Sequence, residues 1–315
     1  MDRRNAPRQF GKAKSTHVRA SVGNTSAVAK KWKVREMAND TFTIAPMSGA
    51  IGAEILGIDL AAPISDQTIA EIRKAQNDNL VIFFRDQDIT PAQHLDFAQR
   101  FGDVVEYPLV KGLDGYPQIA PVIKLEHETV NFGGVWHSDT AYLPAPPKST
   151  MLVARELPPY GGDTLFANMH MAYETLSDGM KSLLEGLRAV NSTKKADASA
   201  TREDRLKTGA KEGSDDEIAS AHPVVRTHPE TGRKLLYVNA GHTTRFENMT
   251  EAESAPILNY LFAHQIRPEF TCRFRWHPGS IAFWDNRAAQ HNPINDYHGH
   301  RREMHRITLA GDVPS

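Results

Sequence analysis

The chain has 315 residues, 40% hydrophobic and 24% charged, with a formal net charge of -1. That length can bury a sizeable core, and so even a balance calls for neither nucleic acid nor an anionic membrane as partner. No stretch of about 18 apolar residues marks a membrane span, and the single cysteine, Cys272, excludes an internal disulfide and a Cys-rich zinc site and fits a reducing, cytoplasmic setting.

Residues 1–40 are rich in Arg, Lys, Ser and Ala and lack hydrophobic periodicity. They read as a disordered basic tail, with Met37 as a candidate natural start. Residues 41–315 read as a single domain. Phe42 to Ile44 predicts a first strand, and Ile51 to Ile58 a second strand or hairpin. Ser65 or Asp66 can cap a helix running to about Asn79. The continuous apolar run Leu80 to Phe84 predicts a buried strand. Thr90-Pro91 starts a helix that ends at Gly102. Residues 103–136 are rich in loop formers. Met151 to Leu157 and Thr164 to Ala167 predict strands around a Pro-Pro-Tyr-Gly-Gly-Asp turn. Met169 to Leu187 predicts one helix with Met171, Leu176, Leu183 and Leu184 facing inward. The polar stretch 194–220 reads as a lid over the entrance or as surface disorder. His222 to Thr227 and Lys234 to Asn239 predict a hairpin. Thr250 with Glu253 forms a capping box for a helix to about His264. Phe270 to Trp276, which holds Cys272 as a buried structural thiol, Ile281 to Trp284, and Arg306 to Ala310 predict the last strands. Many short strands with a few helices and no βαβα alternation imply a mainly β fold with flanking helices, a double-stranded β-helix or jelly-roll.

Within this pattern Trp136-His137-Ser138-Asp139 offers an imidazole and a carboxylate two residues apart. On an extended strand such residues share a face, so both could close on one metal ion. Two His and one carboxylate on one side of the metal, with the other positions open, is the ligand set of a non-haem Fe(II) oxygenase. The third ligand is expected from a remote strand. The candidate is His291, after Trp284-Asp285-Asn286-Arg287.

The chain resembles the taurine / 2,4-dichlorophenoxyacetate dioxygenase family, which depends on Fe(II) and 2-oxoglutarate. The resemblance spans roughly Phe42 to Pro314. It is carried by the His-x-Asp motif, Glu156-Leu157-Pro158 with Gly161-Gly162-Asp163-Thr164, Tyr237-Val238-Asn239 with Thr243-Thr244-Arg245, and Trp284-Asp285-Asn286-Arg287 with His291, Arg302 and Arg306. Aryloxyalkanoate-cleaving and alkyl-sulfate-cleaving members look more similar than the taurine enzyme. The resemblance implies that His137, Asp139 and His291 hold the iron. Arg302, eleven residues after His291, and Thr164 then bind the remote carboxylate of 2-oxoglutarate; an Arg fork suits that task. Arg306 meets the substrate anion or the cosubstrate. The implied reaction uses O2 and 2-oxoglutarate, releases succinate and CO2, and hydroxylates a carbon next to a heteroatom. Homo-oligomers are common in the family.

The sequence departs from the taurine pattern at Tyr107, Val110 and Gly133, where His, Tyr and Asn would hold an amino-sulfonate, and at His242, where Phe is usual. Tyr107, Val110 and His242 are therefore candidate pocket walls for a larger or less polar small organic anion. Two other functions compete with the oxygenase. A Zn(II) hydrolase could use the same three ligands, although no His-Glu-x-x-His helix supplies a base. A non-catalytic jelly-roll binding protein is the other.

Overall fold

The computed structural model describes residues 42–107, 110–131, 133–195 and 217–315. The basic tail, the start at Met37 and most of the expected lid, residues 196–216, lie outside the described residues. Strand β1 (Thr43–Pro46) pairs antiparallel with β2 (Ala53–Leu56). Helix α1 (Asp66–Asn79) starts where the Ser65 side chain accepts a hydrogen bond from the Thr68 amide. Strand β3 (Val81–Phe84) is buried at all four positions, because both of its faces are covered. Val81 and Phe83 pack with Phe166, Phe274 and Trp284, whereas Ile82 and Phe84 pack with Phe97 and Phe101. Helix α2 (Pro91–Gln99) opens with a capping box between Thr90 and Gln93.

The stretch expected to be loop contains two strands, β4 (Val104–Val105) and β5 (Ala120–Lys124). Strands β6 (Ser149–Glu156) and β7 (Thr164–Asn168) follow. The single helix expected over Met169 to Leu187 is instead two, α3 (Met169–Glu174) and α4 (Asp178–Leu184). The Ser177 hydroxyl accepts from the Met180 amide and starts a new helix, a competition that short polar side chains win over helix interiors. Leu176 and Leu184 are buried as expected, but the break turns Leu183 outward, to 49% exposure. Next come β8 (Arg188–Ser192), β9 (Ala219–Pro223), β10 (Val225–Thr227) and β11 (Lys234–Leu236). The run read as one strand from His222 thus splits. β9 pairs with β8, and β10 forms the hairpin with β11. The Val224 amide between them bonds to the Leu187 carbonyl. The chain ends with β12 (Thr243–Phe246), α5 (Glu251–Gln265), β13 (Thr271–Phe274), β14 (Ile281–Asp285), β15 (Ala289–Pro293) and β16 (Arg302–Leu309).

The largest sheet runs β1-β2-β3-β14-β6-β16-β4, with β5 also on β16. A three-stranded sheet, β13-β7-β15, faces it. Phe83 of one stacks on Phe274 of the other with ring centroids 3.9 Å apart. The fold is mostly strand with flanking helices. Among the described residues no helix is long and apolar enough to cross a membrane.

Candidate metal centre

Strand β15 carries His291 between the two facing sheets, its ring 4.7 Å from Trp284 and 6.1 Å from Phe166. One edge of β15 is bonded to β7, and His137 docks on the other. The His137 amide donates to the His291 carbonyl at 3.1 Å, and the His291 amide donates back at 2.9 Å. This exchange brings the two rings to 4.2 Å between centroids. Asp139 does not continue a strand. The chain turns after Ser138, with Thr140 at φ 43° and the Leu143 amide on the Thr140 carbonyl at 3.0 Å. The turn, rather than strand alternation, swings the carboxylate beside the imidazoles, which corrects the expectation of an extended His-x-Asp pair.

Asp139 Oδ1 lies 3.7 Å from His137 Nε2 and 3.9 Å from His291 Nε2. The ligand atoms of the three buried residues lie within 4.8 Å of one another, a spacing that an ion with bonds of about 2 Å spans. His137 Nδ1 sits 2.7 Å from the Val135 carbonyl. That nitrogen must carry the proton, so Nε2 turns its lone pair to the metal position. Burial, helped by the nearby His137, pushes His291 down to about 3, keeping it neutral as a ligand must be. Burial alone would raise the Asp139 carboxyl. Arg306 and the two imidazoles outweigh it and hold Asp139 well below the usual carboxylate range.

The carboxylate is braced from behind. Thr150 Oγ1 donates to Asp139 Oδ2 at 2.7 Å, Asn286 Nδ2 donates to Thr150 Oγ1 at 2.8 Å, and Trp284 Nε1 donates to Asn286 Oδ1 at 2.7 Å. Strand pairing makes this possible, because Thr150 and Trp284 stand opposite each other on β6 and β14. Asn286 belongs to the Trp-Asp-Asn-Arg motif; Thr150 was not foreseen, and only the strand register reveals it. Two glycines make room. A Cβ at Gly133, where φ is +73°, would lie 2.9 Å from His137 Cε1, and one at Gly241 would lie 2.9 Å from His137 Cβ.

Two regions with a buried arginine lie along β16. In the first, Arg302 is buried, and its Nε and Nη2 have no hydrogen-bond partner among the described residues. Its guanidinium lies 5.7 Å from the Trp276 ring, and Trp276 Nε1 donates to Thr164 Oγ1 at 3.0 Å. Arg302 and the Thr164 hydroxyl therefore flank one indole. A buried, unpaired guanidinium is costly, and a carboxylate is the partner its fork suits. In the second, Tyr107, Val110, Ala120, Pro121, Val122 and Ile123 line a cleft with Arg306. Arg306 stacks 3.8 Å over the Tyr107 ring, and its Nη1 lies 3.5 Å from Asp139 Oδ1, so it joins the cleft to the metal position. His242 stands 5.9 Å from the His137 ring and 5.0 Å from Tyr142. Its Nδ1 is buried with no hydrogen-bond partner among the described residues, and burial pushes it down to about 3.

Fold and site together define a mononuclear non-haem iron oxygenase with two imidazoles and one carboxylate as ligands. A family profile described as "Taurine catabolism dioxygenase TauD, TfdA family" matches residues 43–308, and the chain belongs to this family as a 2-oxoglutarate-dependent dioxygenase. An alkylsulfatase from Acinetobacter baylyi is 36% identical over 275 residues, which cover 85% of this chain and 84% of that protein. An alpha-ketoglutarate-dependent sulfate ester dioxygenase from Pseudomonas putida is 34% identical, covering 85% of this chain and 89% of that one. The crystal structure of a taurine dioxygenase from Burkholderia xenovorans aligns with a TM-score of 0.73 at 35% identity, over 87% of this chain and 91% of that one.

Proposed function

We propose that this dioxygenase hydroxylates the heteroatom-bearing carbon of a small organic anion with an apolar tail, an alkyl sulfate ahead of an aryloxyalkanoate or sulfonate. The observation that carries this is a single buried arginine, Arg306, set in an otherwise apolar cleft beside the metal triad. Val110, Val122 and Ile123 offer nothing to the ammonium of taurine, whereas a hydrocarbon tail gains from leaving water there. The likeness to two proteins named for sulfate esters supports the same reading.

His137, Asp139 and His291 would hold Fe(II), which with O2 and 2-oxoglutarate supplies the oxidising power. Arg302 and Thr164 hold the remote carboxylate of the cosubstrate. Arg306 reads the substrate anion, and Tyr107, Val110 and His242 wall the tail and exclude water. A hydroxylated carbon that still bears a sulfate ester oxygen collapses to a carbonyl compound and free sulfate, so no protein acid or base is needed for the cleavage. We read the two facing sheets as a double-stranded β-helix, residues 41–315 as one domain behind a basic tail, and the enzyme as a cytoplasmic homo-oligomer.

Succinate release with linear alkyl sulfates of increasing length, aryloxyalkanoates and taurine tests the substrate class. Each added methylene is expected to lower KM about fourfold until the cleft is full, since burying one is worth about 0.8 kcal/mol. Taurine as the best substrate, or no dependence on chain length, would contradict the proposal.

A further inference from the structure

Lys124 closes β5 directly opposite Arg302 on β16. Residues paired across antiparallel strands share a face, so the two cations stand side by side. Lys124 is only 3% exposed, and its Nζ has no hydrogen-bond partner among the described residues. Lysines are almost never buried so unless paired. Its Nζ lies 4.5 Å from the centre of the Tyr297 ring, against which the Arg302 guanidinium also rests at 6.0 Å. A cation–π contact recovers only part of the cost of burying an ammonium. Three acids stand near this ring, and none is hydrogen-bonded to Lys124 Nζ: Asp163 accepts from Arg273 Nε at 2.6 Å, Asp296 from the Gly162 amide at 2.7 Å, and Glu128 from the Leu125 amide at 2.6 Å. Gly162 keeps the wall thin, since a Cβ there would lie 3.3 Å from both Arg302 Nε and Tyr297 Cδ1. Two buried cations facing one ring leave hydrogen-bond donors open, and the acceptor that the proposed reaction brings to Arg302 is a carboxylate.

We propose that Lys124 is a second cation of the cosubstrate pocket and joins Arg302 in binding the remote carboxylate of 2-oxoglutarate. This rests on the reading of Arg302 and Thr164 given above. It assigns β5 two tasks, since Ala120 to Ile123 line the substrate cleft and Lys124 reaches the cosubstrate. Binding of 2-oxoglutarate would then help to fix the strand that walls the substrate.

Calorimetric titration of the full-length, Mn(II)-loaded protein with 2-oxoglutarate tests the assignment. Lys124→Met is expected to weaken binding about tenfold to a hundredfold, the range for losing a hydrogen bond to a charged group. Lys124→Arg should keep most of the affinity. Without ligand, Lys124→Met should melt no lower than wild type, because an unpaired buried charge has been removed. Its Tm should also rise less when 2-oxoglutarate is added. If Lys124→Met binds 2-oxoglutarate normally while Arg302→Met does not, Lys124 is structural and the assignment is wrong. If both variants bind normally, the underlying reading of the pocket fails as well. Should Met not be tolerated, Lys124→Gln carries the same titration. Failure of both uncharged variants to fold would also mark the lysine as structural and overturn the proposal.

Discussion

The polar groups behind the Asp139 carboxylate are satisfied from within the protein: Trp284 bonds Asn286, Asn286 bonds Thr150, and Thr150 bonds the carboxylate. Around Arg302 they are not; its Nε and Nη2 and the Lys124 ammonium are buried without hydrogen-bond partners among the described residues. Both regions sit on the same large sheet, so the fold alone does not account for the contrast. A group that must hold a fixed geometry before anything binds is paired in advance. A donor that receives a ligand is left open at a cost in stability, and the ligand's charge offsets that cost. On the proposed reading, buried cations without hydrogen-bond partners among the described residues await an anion, and the braced carboxylate faces the metal position.

The contrast is broken most directly at the triad. Asp139→Ala removes the only carboxylate of the set, and Fe(II) content and succinate release should both fall below detection. Retained metal would place the ion elsewhere. Next in size, Arg302→Met should raise KM for 2-oxoglutarate on the order of a hundredfold, the upper range for a lost charge-assisted hydrogen bond. Fe(II) affinity should not change, and a shared loss would show that the two regions are not separable. Thr150→Val keeps the shape of the side chain and cuts the brace. Fe(II) should bind roughly tenfold to a hundredfold more weakly, as for other groups that orient a metal ligand, with 2-oxoglutarate affinity restored at saturating metal. The smallest effect is expected at Gly133→Ala. A left-handed backbone there costs about 1–2 kcal/mol for a residue with a Cβ, read as a lower Tm, and the displaced His137 should weaken metal binding a fewfold.

How much was legible in the sequence follows the range of the interactions. The Thr90 and Thr250 caps and the apolar run of β3 are local signals that stand where they were read, and of the two caps offered for the first helix Ser65 is the one used. The ligands His137, Asp139 and His291 were legible as residue types with the right company, but the geometry joining them was not. A turn at Thr140 and a two-bond exchange between His137 and His291 did what strand alternation was expected to do. Strand β5 was hidden by Pro121, which is tolerated because among the described residues β5 is bonded only to β16, an edge position where proline is allowed. Strand β15, Ala-Gln-His-Asn-Pro, has no apolar alternation and exists through its pairing with β7. Lys124 and Thr150 gain their meaning from the residue across the sheet, Arg302 in one case and Trp284 in the other. No spacing along the chain encodes that.

The central claim is that His137, Asp139 and His291 hold one ferrous ion with 2-oxoglutarate bound beside it, its far end on Arg302. Anaerobic addition of Fe(II) and 2-oxoglutarate to the purified protein, followed by visible absorption, tests it most directly. The account predicts a weak metal-to-ligand charge-transfer band that is absent in Asp139→Ala and needs far more cosubstrate in Arg302→Met. A protein that binds Fe(II) and 2-oxoglutarate yet shows no such band would contradict it.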